Sequence, residues 1–375
     1  MKHPWRVVGV VLLTGGVAMG FLQGEPGVVT AGVTAQLTTP DGWEVPRTPW
    51  GDPDLRGIWD SKSTTPLERP EEYADREFLS DEEIAALEAA RDRLADEGPQ
   101  GRDVRAAPGT EADVEGAYNN IFSTFLDTAY SRTKRTSLIV DPPSGRLPPL
   151  TAEAAAQREA ASRLLTDRRE AAAEAGVPYT VDVGRSYDNP EDVRVIERCQ
   201  GVTLPCTGGL CGFSRLAQGP DSVAIYYEQG HGGGAYRSIP LDGRPHLPGH
   251  IRQWLGDSVG HWAGDTLVVD TTNFTDQTSY LGAAENLYLV ERFTRLGPDL
   301  LKYEVTVEDQ TVWTRPWTME LALTLQDNTQ NLIFEAACHE GNYSLTAMLA
   351  GARLEEAVAE PTEDPSDAAT AAGAR

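Results

Sequence analysis

Leu241–Thr272, LDGRPHLPGHIRQWLGDSVGHWAGDTLVVDTT, is the stretch whose reading decides the fold. It ends in TLVVDTT, where β-branched side chains favour a pleated, half-buried strand. Asp242, Asp257 and Asp265 each stand beside a glycine and mark turns. Pro245 and Pro248 break any helix between them, so His246 and His250, four apart, lack the helical register of a metal-binding pair. The stretch therefore reads as an irregular connection leading into strands.

Working outward, the same pattern continues. Ser222–Tyr227 and Tyr236–Pro240 read as strands around a Gly-rich loop that carries His231. Leu287–Arg295 and Leu300–Val307 read as a hairpin around Gly297-Pro298-Asp299. Trp317–Leu325 alternates, with Trp317, Met319, Leu321, Leu323 and Leu325 on one face, and Leu332–His339 is predicted as the last strand. Regular strands with local turns predict an antiparallel meander, and closure into a barrel removes its edges. Upstream, Leu55–Asp60 (LRGIWD) reads as a first strand and Arg135–Val140 as a short one, halted at Asp141-Pro142-Pro143. Gly57-x-Trp59 resembles the start of lipocalin-type barrels, where the Trp plugs the closed end.

Two helices interrupt this pattern. Ser80-Asp81-Glu82-Glu83 is a capping box before Ile84, Leu87 and Leu94 at helical spacing. Thr151 caps a second, Ala- and Arg/Glu-rich helix that reaches Ala175 and stops at Gly176, with Pro178 beyond. Few large apolar residues place it on the surface. Residues 98–116 between them read as a polar, mobile loop.

The expected fold is mostly β with helical insertions (α+β), on an antiparallel lipocalin-like β-barrel. Residues 1–35 read as an export signal: Lys2 and Arg6 precede an apolar run, and Val33-Thr34-Ala35 offers a cleavage site, with an uncleaved anchor as the alternative. Residues 36–60 form an N-terminal arm and first strand, and 61–198 a helical and loop insertion packed on the barrel. Residues 199–353 form the barrel core, and 354–375 a disordered acidic tail. The net charge of −25 speaks against nucleic acid and against an anionic membrane surface, leaving no membrane role beyond export. Four cysteines in an exported chain point to disulfides. We favour Cys206–Cys211 and Cys199–Cys338, although three pairings are open on sequence alone.

Several segments together resemble a family of exported bacterial proteins to which no reaction is assigned. They are PWGDPDLRGIWD (Pro49–Asp60), RTSLIVDPPSGRLPPLT (Arg135–Thr151), IPLDGRPH (Ile239–His246), WLGDSVGHWAGDTLVVDTTNF (Trp254–Phe274), VERFTR (Val290–Arg295) and ACHEGNY (Ala337–Tyr343). The resemblance implies a secreted or periplasmic protein with a lipocalin-like core. Ala263 departs from it, standing where the family carries Glu.

Two functions fit these residues. The first is a binding protein whose barrel encloses a small apolar or aromatic ligand, lined by Tyr226, Tyr236, Trp254, Trp262, Tyr288 and Trp317, with Arg252 as a polar contact. A filled barrel removes that reading. The second is a cofactor-free hydrolase, lyase or isomerase, in which His231, His246, His250 or His261 pairs with a carboxylate at the barrel mouth, the candidates being Asp242, Asp257, Asp265, Asp270, Glu291 and Glu340. It requires one of these histidines within hydrogen-bond reach of a carboxylate beside an open cavity. Asp270, within LVVDTT, is a further candidate: pointing inward, it would need a partner such as Arg252, Arg292 or Arg295. No cofactor and no metal site is expected. Gly-x-Ser-x-Gly and Walker motifs are missing, and Gly232-Gly233-Gly234 is a loop rather than a dinucleotide fingerprint.

Overall fold

Among the described residues the named strands pair antiparallel, and nine of them in succession wrap into a nearly closed barrel. The computed structural model describes residues 36–73, 75–97, 132–174, 176, 187–193, 195, 197–206, 212–228, 234–326, 329, 333, 337–340 and 342–359. The strands are β1 (Gly57–Asp60), β2 (Ile139–Asp141), β3 (Phe213–Gln218), β4 (Ser222–Tyr227), β5 (Ala235–Pro240), β6 (Asp257–Ala263), β7 (Thr266–Thr272), β8 (Tyr288–Arg295), β9 (Leu300–Glu308) and β10 (Trp317–Leu325). Around the barrel they run β5-β4-β3-β1-β10-β9-β8-β7-β6, with β2 pairing β10 off that path. The α-helices among the described residues are α1 (Asp81–Glu97), α2 (Ala152–Glu174) and α3 (Ser344–Ala359). None is long and apolar enough to cross a membrane.

Alternation sets which side chains face inward. Along β9 and β10 every second residue is buried, so Leu301, Tyr303, Val305, Val307, Trp317, Met319, Leu321 and Leu323 share the interior. Trp59 lies fully buried; its Nε1 donates to the Leu55 carbonyl at 2.9 Å, and the Arg295 guanidinium sits 5.6 Å from its ring centroid. The two-residue turn between β6 and β7 has Gly264 at φ +63°, the glycine-first arrangement whose twist suits a hairpin.

Local capping follows the sequence. Ser80 Oγ accepts from Glu83 N–H, and Glu83 Oε2 accepts from Ser80 N–H, closing the predicted box on α1. Thr151 Oγ1 accepts from Ala154 N–H to start α2, which buries none of its residues, and Gly176 follows at φ +74°. Cys199 and Cys338 are bonded as expected. Cys206 is also disulfide-bonded, while Cys211 lies outside the described residues.

Several boundaries differ from expectation. β1 begins at Gly57, because the Leu55 N–H is taken by the Gln218 side chain rather than by a strand. Arg135 to Leu138 stay outside β2; Arg135 pairs singly with Phe78, and Leu138 N–H goes to Pro66. β3, whose outward positions carry Phe213, Arg215 and Ala217, is absent from the sequence reading. No described residue of 332–339 is a strand: Cys338 and His339 form a turn that leads into α3, which also covers the first residues of the expected tail. Arg315 pairs with Asp141 at the end of β2. The expected mobile loop at 98–116 lies outside the described residues.

Candidate functional site

Eight successive antiparallel steps separate β5 from β6, so these two end strands run parallel where the barrel closes. No hairpin can join parallel neighbours. The Leu241–Gly256 stretch makes that crossover, which is why its prolines and turn residues sit there. A cleft of about 620 Å³ opens where β5 and β6 part. Its walls are Ala235–Ser238 of β5, the crossover's last residues Gln253–Gly256, and Asp257 and Ser258 of β6, with Arg244 and Gln200 at the rim.

The aromatic wall of the cleft is outside the barrel. Tyr236 is 76% exposed, and its ring packs on Tyr226 across the β4–β5 register with centroids 4.5 Å apart. Gly234 lies so close to Tyr226 that a Cβ there would fall 2.2 Å from the phenol oxygen, so glycine keeps this stack in place. Trp254 lines the cleft half-buried, and its indole N–H is buried without a hydrogen-bond partner.

One predicted histidine meets the acid–base criterion. His246 Nδ1 lies 2.8 Å from Asp257 Oδ2, and the same oxygen accepts the Leu247 N–H at 2.9 Å. Asp257 is therefore fixed by two contacts where β6 enters the cleft. Next to it, Arg244 grips Asp242 through two nitrogens and holds that carboxyl down to about 2.

The remaining candidates lie apart from this arrangement. His250 is exposed in the turn closed by Ile251 N–H to Pro248 O, and His261 is exposed on the outer face of β6. His231 lies outside the described residues. Asp270 faces outward, because Leu267, Val269 and Thr271 take the inward positions of β7. Its partner is Tyr288, whose hydroxyl donates to it at 2.6 Å, not an arginine. Partial burial, together with that carboxylate, pushes the Tyr288 phenol up to about 12. Arg252 holds the carbonyls of Phe274 and Glu285 and so ties the crossover to a neighbouring loop. Trp262 is half-buried with its N–H unpartnered. Trp317 belongs to the core, edge-on to Trp313 at 5.6 Å. Ala263 is exposed at the end of β6.

The barrel interior is occupied by the protein itself. Arg237, 4% exposed, points inward from β5. Its Nε donates to Ser258 Oγ at 2.8 Å, and its two terminal nitrogens reach Tyr227, Thr271 and both oxygens of Glu291. Tyr303 donates to Glu291 Oε1 at 2.9 Å. Burial alone lowers an arginine pKa, but here the Glu291 carboxylate raises it; burial likewise pushes Tyr227 and Tyr303 up. Beside Tyr227 and Tyr303 remains a void of about 20 Å³, room for about one water and no larger ligand.

Sequence reasoning passed over Arg237, although a signal was present. Ile239 fixes the inward parity of β5, and Arg237 shares it; Glu291 shares inward parity with Leu289 and Phe293. Charged residues at inward positions must find each other. Among the described residues, no three of His, Cys, Asp and Glu converge as metal ligands do. No protein-family model and no curated protein matches the chain.

Proposed function

We propose that this is an exported binding protein that holds a small apolar or aromatic ligand in the cleft between β5 and β6, outside the barrel rather than within it. The barrel-shaped antiparallel sheet is the scaffold that lipocalin-like binders use, but its lumen is full. The observation that carries the reading is the 76% exposure of Tyr236 on the wall of a 620 Å³ cleft. A large aromatic held rigidly by a second ring, yet left open to solvent, suits stacking against a ligand. Trp254 offers a second aromatic surface, and Gln200, Gln253 and Arg244 supply polar contacts for one edge of the ligand. Export is supported by the Cys199–Cys338 disulfide, which persists in oxidising compartments, and by the basic, apolar N-terminal segment.

Native mass spectrometry of protein purified from its own cell envelope tests this reading. A retained small molecule that is lost from Tyr236→Ala and Trp254→Ala supports it. Protein that carries no adduct and binds no aromatic or apolar compound from a fluorescence-screened panel ends it.

One observation favours a second reading. The His246–Asp257 pair can take up and deliver a proton at the cleft, in a cofactor-free hydrolase, lyase or isomerase. Turnover of a cleft-bound compound that is lost in His246→Gln and Asp257→Asn, with binding kept, would replace binding by catalysis.

A further inference from the structure

The hydrogen-bonded sheet has one gap, and the cleft lies on it. Among the described residues no backbone hydrogen bond joins β5 to β6, although the two strands stand side by side. Every other neighbouring pair along the path has a continuous antiparallel ladder. Consecutive residues of both strands line the cleft, Ala235 to Ser238 and Asp257 to Ser258, so it is bounded by the strand edges and not by one face.

Side chains hold the gap shut. Arg237 donates from β5 to Ser258 on β6 at 2.8 Å. Two residues further on, Ile239 fills the space that a side chain at position 260 would need: a Cβ on Gly260 would fall 2.9 Å from Ile239 Cγ2 and from Leu241 Cδ2. The same guanidinium reaches Tyr227 on β4, Thr271 on β7 and Glu291 on β8, so one side chain fastens β5 to the far wall. Tyr227, in turn, lines the small interior void.

We propose that the β5–β6 seam is a gate latched by Arg237, through which the outer cleft reaches the polar interior of the barrel. A closing pair without a backbone ladder opens by exchanging a few side-chain contacts, whereas any other pair must lose a row of hydrogen bonds. Opening adds Thr271 and Glu291 to the cleft that Arg237 and Ser258 already line, while the remaining strands stay paired. The proposal stands whether or not the cleft binds a ligand, since it concerns the empty protein.

Native-state hydrogen exchange on the full chain tests it. The amides that β5 donates to β4 and those that β6 donates to β7 should exchange at least about tenfold faster than those of β8, β9 and β10, with weak dependence on added denaturant. Ser258→Ala removes the cross-seam acceptor while leaving the Arg237–Glu291 pair, and should speed exchange in β5 and β6 about tenfold further with the other strands unchanged. Gly260→Ala, which pushes Ile239 and Leu241 away, should do the same. Equal protection of all strands, or variants that speed every strand together, overturns the gate. Neither result bears on whether a ligand binds in the cleft.

Discussion

The barrel interior and the outer cleft hold similar residue types in opposite conditions. Inside, Arg237, Glu291, Tyr227 and Tyr303 are fully buried and spend their polar atoms on one another. Outside, Tyr236 and Trp254 border open space, and the His246–Asp257 pair is only partly covered. A polar cluster in a barrel lumen invites a functional reading, yet the buried cluster has room for about one water. The contrast teaches that free volume, not the presence of charged side chains, separates a structural network from a candidate site.

The largest expected effect tests the interior half of this contrast. Glu291→Ala leaves the Arg237 guanidinium buried without its counter-charge and should cost about 3–5 kcal/mol in denaturant unfolding. Arg237→Met combined with Glu291→Leu should cost much less than either single change. A loss below about 1 kcal/mol for Glu291→Ala would mean that water already reaches the pair, and the contrast would fail.

Next comes the outer half. Tyr236→Ala should lower affinity for the retained molecule about tenfold or more, while stability stays within about 0.5 kcal/mol, as for other exposed positions. Calorimetric titration beside thermal melting separates the two. A stability loss equal to the affinity loss would make Tyr236 a packing residue.

The outer wall supplies a pH test. The folded Tyr288 phenol is held at about 12, against an ordinary value of 10.0. Between those values the unfolded chain gives up this proton while the folded one keeps it, so ionisation favours unfolding. The contribution is intact below about pH 10 and declines as the pH rises towards 12. Ultraviolet difference titration should show, besides the buried Tyr227 and Tyr303, a late phenol near 12 that disappears in Tyr288→Phe, and stability in that variant should fall less over the same range.

The smallest effect belongs to His261. His261→Ala should change neither binding nor, beyond about 0.5 kcal/mol, stability, because the side chain stands exposed on the outer face of β6. A loss of binding would extend the candidate site across that face.

The antiparallel barrel was legible because most strands carry clear alternation. Trp317–Leu325 was read to the residue, and both helix caps were visible as short side-chain patterns. What escaped depends on partners far away in the chain. β3 has too mixed a surface face to stand out, and α3 follows a turn whose disulfide anchors it to residue 199. The site was half legible. His246 and Asp257 were both named as candidates, but their pairing depends on the path of the crossover through Pro245 and Pro248. The side that Asp270 takes stays open in the sequence because TLVVDTT is apolar enough to be buried on both faces. Its parity is settled only by Val269 and Thr271 pairing inward.

β1 is the shortest strand on the barrel path, yet it sits between β3 and β10, pairing Trp59 with Ser214 on one side and with Leu325 on the other. Both neighbours are encoded far downstream, so the ring cannot be completed until almost the whole polypeptide has emerged. Until then Ile58 and Trp59 remain unsheltered. Contacts so distant in sequence make for slow assembly. A chain cut short before Trp317 would leave β1 with one neighbour and β9 without its β10 side, presenting two raw edges prone to sticking to other chains.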